Sequence, residues 1–124
     1  MTQHKEVNKE WGKEIWIVNR DYCGKKLILN KGFRCSMHYH KNKDETFYIL
    51  RGKVLLEIGM QKNIILPGDS ILIKPGQKHR FTGLEFSEIM EFSTPSRFLI
   101  ASLIALIEVQ VFPDPVAICR IPTP

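Results

Sequence analysis

Three of the four histidines in this chain of 124 residues fall at His38, His40 and His79, and Glu45 follows the first two across a short polar turn at 41–44. Neutral imidazole nitrogens and an ionised carboxylate oxygen are donors that divalent first-row transition metals accept, so these residue types together point to one ion: Zn, Mn, Fe, Co or Ni. Four protein ligands would leave one or two positions for water or substrate, and an open octahedral site is the expected geometry. An ion held that way can act as a Lewis acid on a carbonyl or hydroxyl oxygen.

Such a site needs elements that aim distant residues at one point. Residues two apart on a strand point to the same face, so His38 and His40 can both face a barrel interior while Tyr39 points away. Glu45 is then expected at the start of the next strand, with His79 closing the set from the opposite sheet. From residue 14 to residue 93, short apolar runs are broken by Gly, Pro or Asn at intervals of about eight to twelve residues, the rhythm of a sandwich or barrel. The expected strands are 15–19, 26–30, 36–40, 46–50, 54–58, 63–65, 70–73 and 89–92. Gly32, Gly52, Gly59, Gly68, Gly76 and Gly83 mark the corners between them. No long segment has helical period, and the chain reads as all-β.

These residues resemble a known family. The stretch Gly32-x5-His38-x-His40-x4-Glu45-x6-Gly52 resembles the first cupin motif, and Gly68 through Pro75-Gly76-x2-His79 resembles the second, with Lys74 where that motif commonly has proline. The short segment between them, 53–67, is similar to that of small single-domain microbial cupins. The resemblance runs from about residue 12 to residue 93, with its motif core at 32–83. It implies a double-stranded β-helix, a jelly-roll barrel. A single cupin domain is therefore expected over 1–94, followed by an atypical tail at 95–124.

Trp11-Gly12-Lys13-Glu14 ahead of Tyr22-Cys23-Gly24-Lys25 is similar to the opening strands of cupins related to mannose-6-phosphate isomerase and lyxose isomerase. That similarity implies a sugar or sugar-phosphate isomerase. The metal would act as Lewis acid while a base moves a proton between neighbouring carbons, and the candidate catalytic residues are Glu88 and Glu91 on the late strand and Lys25 on an early one. Iron in the same site would instead suit a cupin dioxygenase. The third class is a non-catalytic sugar-binding or sensing module; Phe47, Tyr48 and Phe81 could line its pocket, although aromatic residues in strands are usually core. Trp11 and Trp16 read as core anchors.

Composition narrows the partners. With 44% hydrophobic and 25% charged residues, the chain has the make-up of an ordinary globular protein. Residues 21–53 hold eight Lys or Arg against three Asp or Glu, equal to the whole net charge of +5. A cationic rim of this kind draws anions, so the expected partner is a small molecule such as an anionic sugar. No basic stripe interleaved with aromatics suggests nucleic acid. The apolar run at 98–107 is shorter than the roughly 20 residues of a membrane span. The polar first fourteen residues lack a secretory pattern, and a cytoplasmic protein is expected. Three cysteines without a CxxC pair, Cys23, Cys35 and Cys119, read as reduced thiols. The tail at 95–124 carries five of the seven prolines, none of the eight glycines and four charged residues. It can supply an extra element around 99–111, cap the barrel or pack against a partner chain. Pairing through sheet edges would protect exposed strands, and a homodimer is expected.

Overall fold

Side chains along the late strand alternate strictly: Ser87, Ile89, Glu91 and Ser93 are buried, whereas Glu88, Met90 and Phe92 face outward. That period of two belongs to a sheet with one face on a core. The computed structural model describes residues 3–95, and its regular elements are all strands. They are β1 (Lys5–Lys9), β2 (Gly12–Asn19), β3 (Cys23–Leu29), β4 (Glu45–Arg51), β5 (Val54–Ile58), β6 (Gln61–Ile65), β7 (Ser70–Ile73), β8 (His79–Gly83) and β9 (Ser87–Ser93).

The strands form a six-stranded sheet in the order β1-β2-β3-β9-β4-β7 and a three-stranded sheet in the order β6-β5-β8, with antiparallel pairing throughout. The non-sequential neighbours β3-β9-β4 carry the chain back between earlier strands, as a jelly-roll barrel requires. Leu27, Leu29, Phe47, Ile49, Val54, Leu56, Ile73, Phe81 and Ile89 fill the space between the sheets. Each such side chain contributes about 1.5–3 kcal/mol by leaving water. Trp11 joins them, its ring 5.3 Å from that of Phe81 and perpendicular to it, as expected for a core anchor.

Register sorts the barrel interior. One inward row across the large sheet is Ile49, Ile89, Leu27 and Glu14; the next is Phe47, Glu91, Lys25 and Trp16. The first row is hydrocarbon except for Glu14, and the second brings the buried Glu91 and Lys25 between the aromatic Phe47 and Trp16. Gly52 makes the β4–β5 corner with a φ of +96°, and a Cβ there would overlap the Phe86 carbonyl and the Ser87 hydroxyl. Only glycine fits that corner without displacing β9.

Two strands differ from the sequence reading. β1 has a single apolar residue, Val7, and is an edge strand held by pairing with β2. β8 was not among the expected strands, yet it alternates fully, with His79, Phe81 and Gly83 inward. The expected strand at 36–40 is not a regular one. It touches β8 through one isolated bridge, His38 to His79, and a second bridge, Arg34 to Thr82, lies just before it, so the ladder is interrupted. Cys35 is a free, buried thiol, whereas Cys23 is disulfide-bonded, which corrects the reading of a reduced thiol there. Cys119 and the tail expectations from residue 96 onward lie outside the described residues. Among the described residues, no helix is long and apolar enough to cross a membrane.

Candidate metal centre

Paired backbone hydrogen bonds fix the first two histidines of the site. His38 N donates to His79 O at 3.1 Å and His79 N donates to His38 O at 2.8 Å, which brings the ring centroids within 4.2 Å. Two residues on, His40 is buried, and its carbonyl accepts from Gly76 N at 2.7 Å, tying the segment to the turn before β8. The intervening Tyr39 is 45% exposed, so the expected same-side placement of His38 and His40 holds even without a regular strand. Glu45 opens β4 from the other sheet.

The ligand atoms of His38, His40 and His79 lie within 4.8 Å of one another, a group that can hold a metal ion. With metal–nitrogen bonds near 2.1 Å, donors around one ion stand roughly 3 to 4 Å apart, so a small contraction completes the set. Glu45 Oε2 faces the same point, 3.0 Å from His40 Nε2 and 3.3 Å from His79 Nε2.

The hydrogen-bond pattern tests whether a cation fits. His38 Nδ1 lies 2.7 Å from the Ser36 carbonyl and His79 Nδ1 lies 2.9 Å from the Gln77 carbonyl. A carbonyl only accepts, so each Nδ1 carries the proton, and it is the Nε2 atom of each ring that is left to serve as a ligand. The buried atoms Glu45 Oε2 and His79 Nε2 are consequently left without a hydrogen-bond partner. A proton or a metal cation between them would satisfy both atoms, and the donor set suits a divalent ion.

Electrostatics prepares the same ligands. Burial pushes the His38 imidazole down to about 4, with His79 adding to the effect against the pull of the Ser36 carbonyl. The ring is therefore neutral near pH 7, the form that ligates. Burial would raise the Glu45 carboxyl, but the Lys43 ammonium and the facing imidazoles of His40 and His79 outweigh it and hold the group well below the ordinary carboxylate value. Burial pushes the Cys35 thiol up to about 12, so it is protonated and not a metal ligand in waiting.

A cavity of about 670 Å³ opens onto the cluster, a volume suited to a small metabolite. His38, His40 and Glu45 line it together with Glu14, Glu91, Phe47 and Phe81, and Lys9 and Arg34 belong to the same wall. Buried ion pairs support that wall. Lys43 Nζ is 3.1 Å from Glu91 Oε2, and Lys25 Nζ is 3.2 Å from Glu14 Oε1, which also accepts from Trp16 Nε1 at 2.9 Å. Lys25 lies 4.8 Å from the Trp16 ring centroid, a second favourable contact for a buried ammonium.

The structure separates the expected catalytic residues. Glu91 lines the cavity. Lys25 is buried but stands outside the cavity lining, held by Glu14. Glu88 is on the outer face of β9, pairing with Lys26 at 3.2 Å, and does not reach the cavity. The reason is parity: Glu88 and Glu91 are three residues apart on one strand, so they cannot share a face. The same rule puts Tyr48 outside the pocket while Phe47 lies within. Of the eight cationic residues at 21–53, Lys25 and Lys43 point into the barrel instead of forming a rim. Lys43 and Glu14 were not singled out as site residues. A lysine inside a polar turn reads as solvated, and only the distance to Glu91, 48 positions away, reveals its role.

Comparison with known proteins agrees with this architecture. The cupin domain family matches residues 26–93. An oxidoreductase of Arthrobotrys oligospora is 28% identical over 68 residues, which is 54% of this chain and 27% of that relative, so the match spans about a quarter of the relative's length. Among solved structures, KdgF from Halomonas sp. superposes with a TM-score of 0.69 at 19% identity, covering 77% of this chain and 88% of that one. A sugar phosphate isomerase of the cupin superfamily from Silicibacter pomeroyi gives a TM-score of 0.62 at 17% identity, covering 68% of this chain and 59% of that one. At these identities the structural likeness concerns the fold.

Proposed function

Because this chain belongs to the cupin domain family, we propose that it binds one divalent transition metal ion through His38, His40, His79 and Glu45 and isomerises a small anionic sugar or sugar phosphate. The observation that carries this reading is the placement of Glu91 in the same cavity as the imidazole cluster. A proton-accepting carboxylate and a Lewis-acid site facing one space are what aldose–ketose isomerisation needs.

The bound ion would supply polarisation of adjacent carbonyl and hydroxyl oxygens of the sugar. Glu91 accepts the proton from the carbon beside the carbonyl and returns it to the former carbonyl carbon, while the proton of the adjacent hydroxyl passes to the former carbonyl oxygen, so no proton is gained or lost overall. Lys43, 3.1 Å from Glu91 Oε2, holds that carboxylate in place. Glu14, fixed by Lys25 and Trp16, presents a second carboxylate able to accept hydrogen bonds from sugar hydroxyls. Phe47 and Phe81 give the space an apolar wall.

Charge favours an anionic substrate. Lys9 and Arg34 line the cavity with Glu10, Glu14, Glu45 and Glu91, and Lys25 and Lys43 pair with Glu14 and Glu91 behind that wall, so with all four cations counted a divalent ion tips the region to positive. The deciding experiment incubates metal-loaded protein with aldose and ketose phosphates in deuterated water and follows carbon-bound deuterium by NMR. Incorporation that disappears in Glu91→Gln supports the isomerase. Full metal loading with no incorporation across the panel removes it.

A second reading has one specific support, the oxidoreductase among the curated relatives. Stoichiometric iron and oxygen consumption that depends on an added substrate would establish a dioxygenase instead.

A further inference from the structure

Lys43 lies in the turn joining His40 to Glu45, where a lysine ordinarily extends into water, yet it is 3% exposed. Burying an ammonium is unfavourable unless it is well paired. Its pairing here is specific: Nζ lies 3.6 Å from Glu45 Oε1 and 3.1 Å from Glu91 Oε2. The two oxygens of Glu45 are thereby divided. Oε1 is the oxygen in contact with the ammonium, and Oε2 is the one that lies 3.0 Å from His40 Nε2 and 3.3 Å from His79 Nε2.

We infer that Lys43 is a positioning residue that restricts Glu45 to ligation through one oxygen. This rests on the metal reading above and extends it to the coordination number. A carboxylate free to pivot can place both oxygens on an ion and fill a position that substrate would otherwise use. With Oε1 retained by Lys43, that position stays open toward the cavity. The second contact, to Glu91, fixes the distance between the ligand carboxylate and the proposed base through one shared cation. The role is distinct from strengthening metal binding, because an ammonium beside the site repels the ion.

Divalent cobalt is the probe, since its visible absorption weakens as donors are added. Wild-type protein, Lys43→Met and Lys43→Arg are loaded with cobalt, and spectrum, affinity and Tm are recorded for each. The expected result is weaker visible bands in Lys43→Met with affinity unchanged or tighter, and wild-type intensity in Lys43→Arg. Unchanged bands in Lys43→Met overturn the inference while leaving the metal site standing, and a lower affinity with an unchanged spectrum marks a merely structural lysine. Failure of wild-type protein to bind cobalt overturns both. Infrared carboxylate bands of the wild-type protein, taken as a difference between loaded and metal-free samples, require no variant. A wide separation of the two stretches is expected, and the narrow separation of two-oxygen ligation refutes the role of Lys43.

Discussion

Glu45 Oε2 and His79 Nε2 face each other at 3.3 Å, both buried and neither with a hydrogen-bond partner. The contact crosses from the six-stranded sheet to the three-stranded one. An uncompensated pair of this kind costs on the order of 1–3 kcal/mol per group, and a bound cation removes the cost.

Metal removal is therefore expected to destabilise the barrel. At a free-metal concentration 100 times Kd the stabilisation is about 2.7 kcal/mol, which for a domain of this size corresponds to a Tm difference of roughly 10 to 20 °C. Differential scanning calorimetry before and after chelation checks this. His79→Ala should bind at least about tenfold less metal and show no response to chelator. An equal response in the variant would dismiss His79 as a ligand.

The metal-free protein should lose stability in acid. His38 titrates at about 4 in the fold and near 6.5 when unfolded, so between these values the unfolded chain binds more protons. Stability then rises with pH across the window and falls as pH drops from about 6.5 toward 4. Urea midpoints of metal-free protein at pH 4.5 and 7 measure it, and His38→Gln should flatten the slope.

Phe81 is a test of the core. Its ring packs edge-on against Trp11 at 5.3 Å and Phe47 at 5.9 Å. Phe81→Ala should cost about 3–5 kcal/mol, read as a fall in the urea midpoint. A loss under about 1 kcal/mol would mean that the barrel end collapses readily around the deletion.

Two glycines at positive φ should respond differently to alanine. Gly59, with φ of +58°, has nothing within 4 Å of the added carbon, so only the backbone resists, costing about 1–2 kcal/mol. At Gly52 the carbon meets backbone of β9 as well, and the cost should reach about 2–5 kcal/mol. Equal losses by chemical denaturation would show that the Gly52 corner shifts freely.

Cys35, its thiol pushed up to about 12 by burial, should react with a disulfide reagent at pH 8 only after denaturation. Prompt modification of native protein at Cys35, located by mass spectrometry, would contradict the closed packing around Phe81.

The site was legible where chemistry and spacing coincide. His38, His40 and His79 converge because a period of two and one distant segment suffice to aim them. The jelly-roll architecture came from the family resemblance, since long-range pairing such as that of β9 between β3 and β4 leaves no local trace. Parity alone could have shown that Glu88 and Glu91 are on opposite faces, and it is Glu91 that lines the cavity. β1 was illegible because an edge strand needs hydrogen bonds, which every residue has, more than apolar side chains. Lys43 was hidden for a different reason. A buried lysine depends on carboxylates from other strands, so its sequence neighbourhood looks like any solvated turn.

The segment carrying His38 meets β8 through isolated bridges, whereas His79 and Glu45 sit on strands paired along their length. Of the two ways an ion could escape, parting the sheets breaks whole ladders, and peeling back the His38 segment breaks only a few bonds. Metal exchange should thus be gated by the fraying of this one flap. Its amides would be the ones whose hydrogen exchange slows most when the ion is bound, and its opening rate would set the ceiling on how fast a chelator can strip the protein.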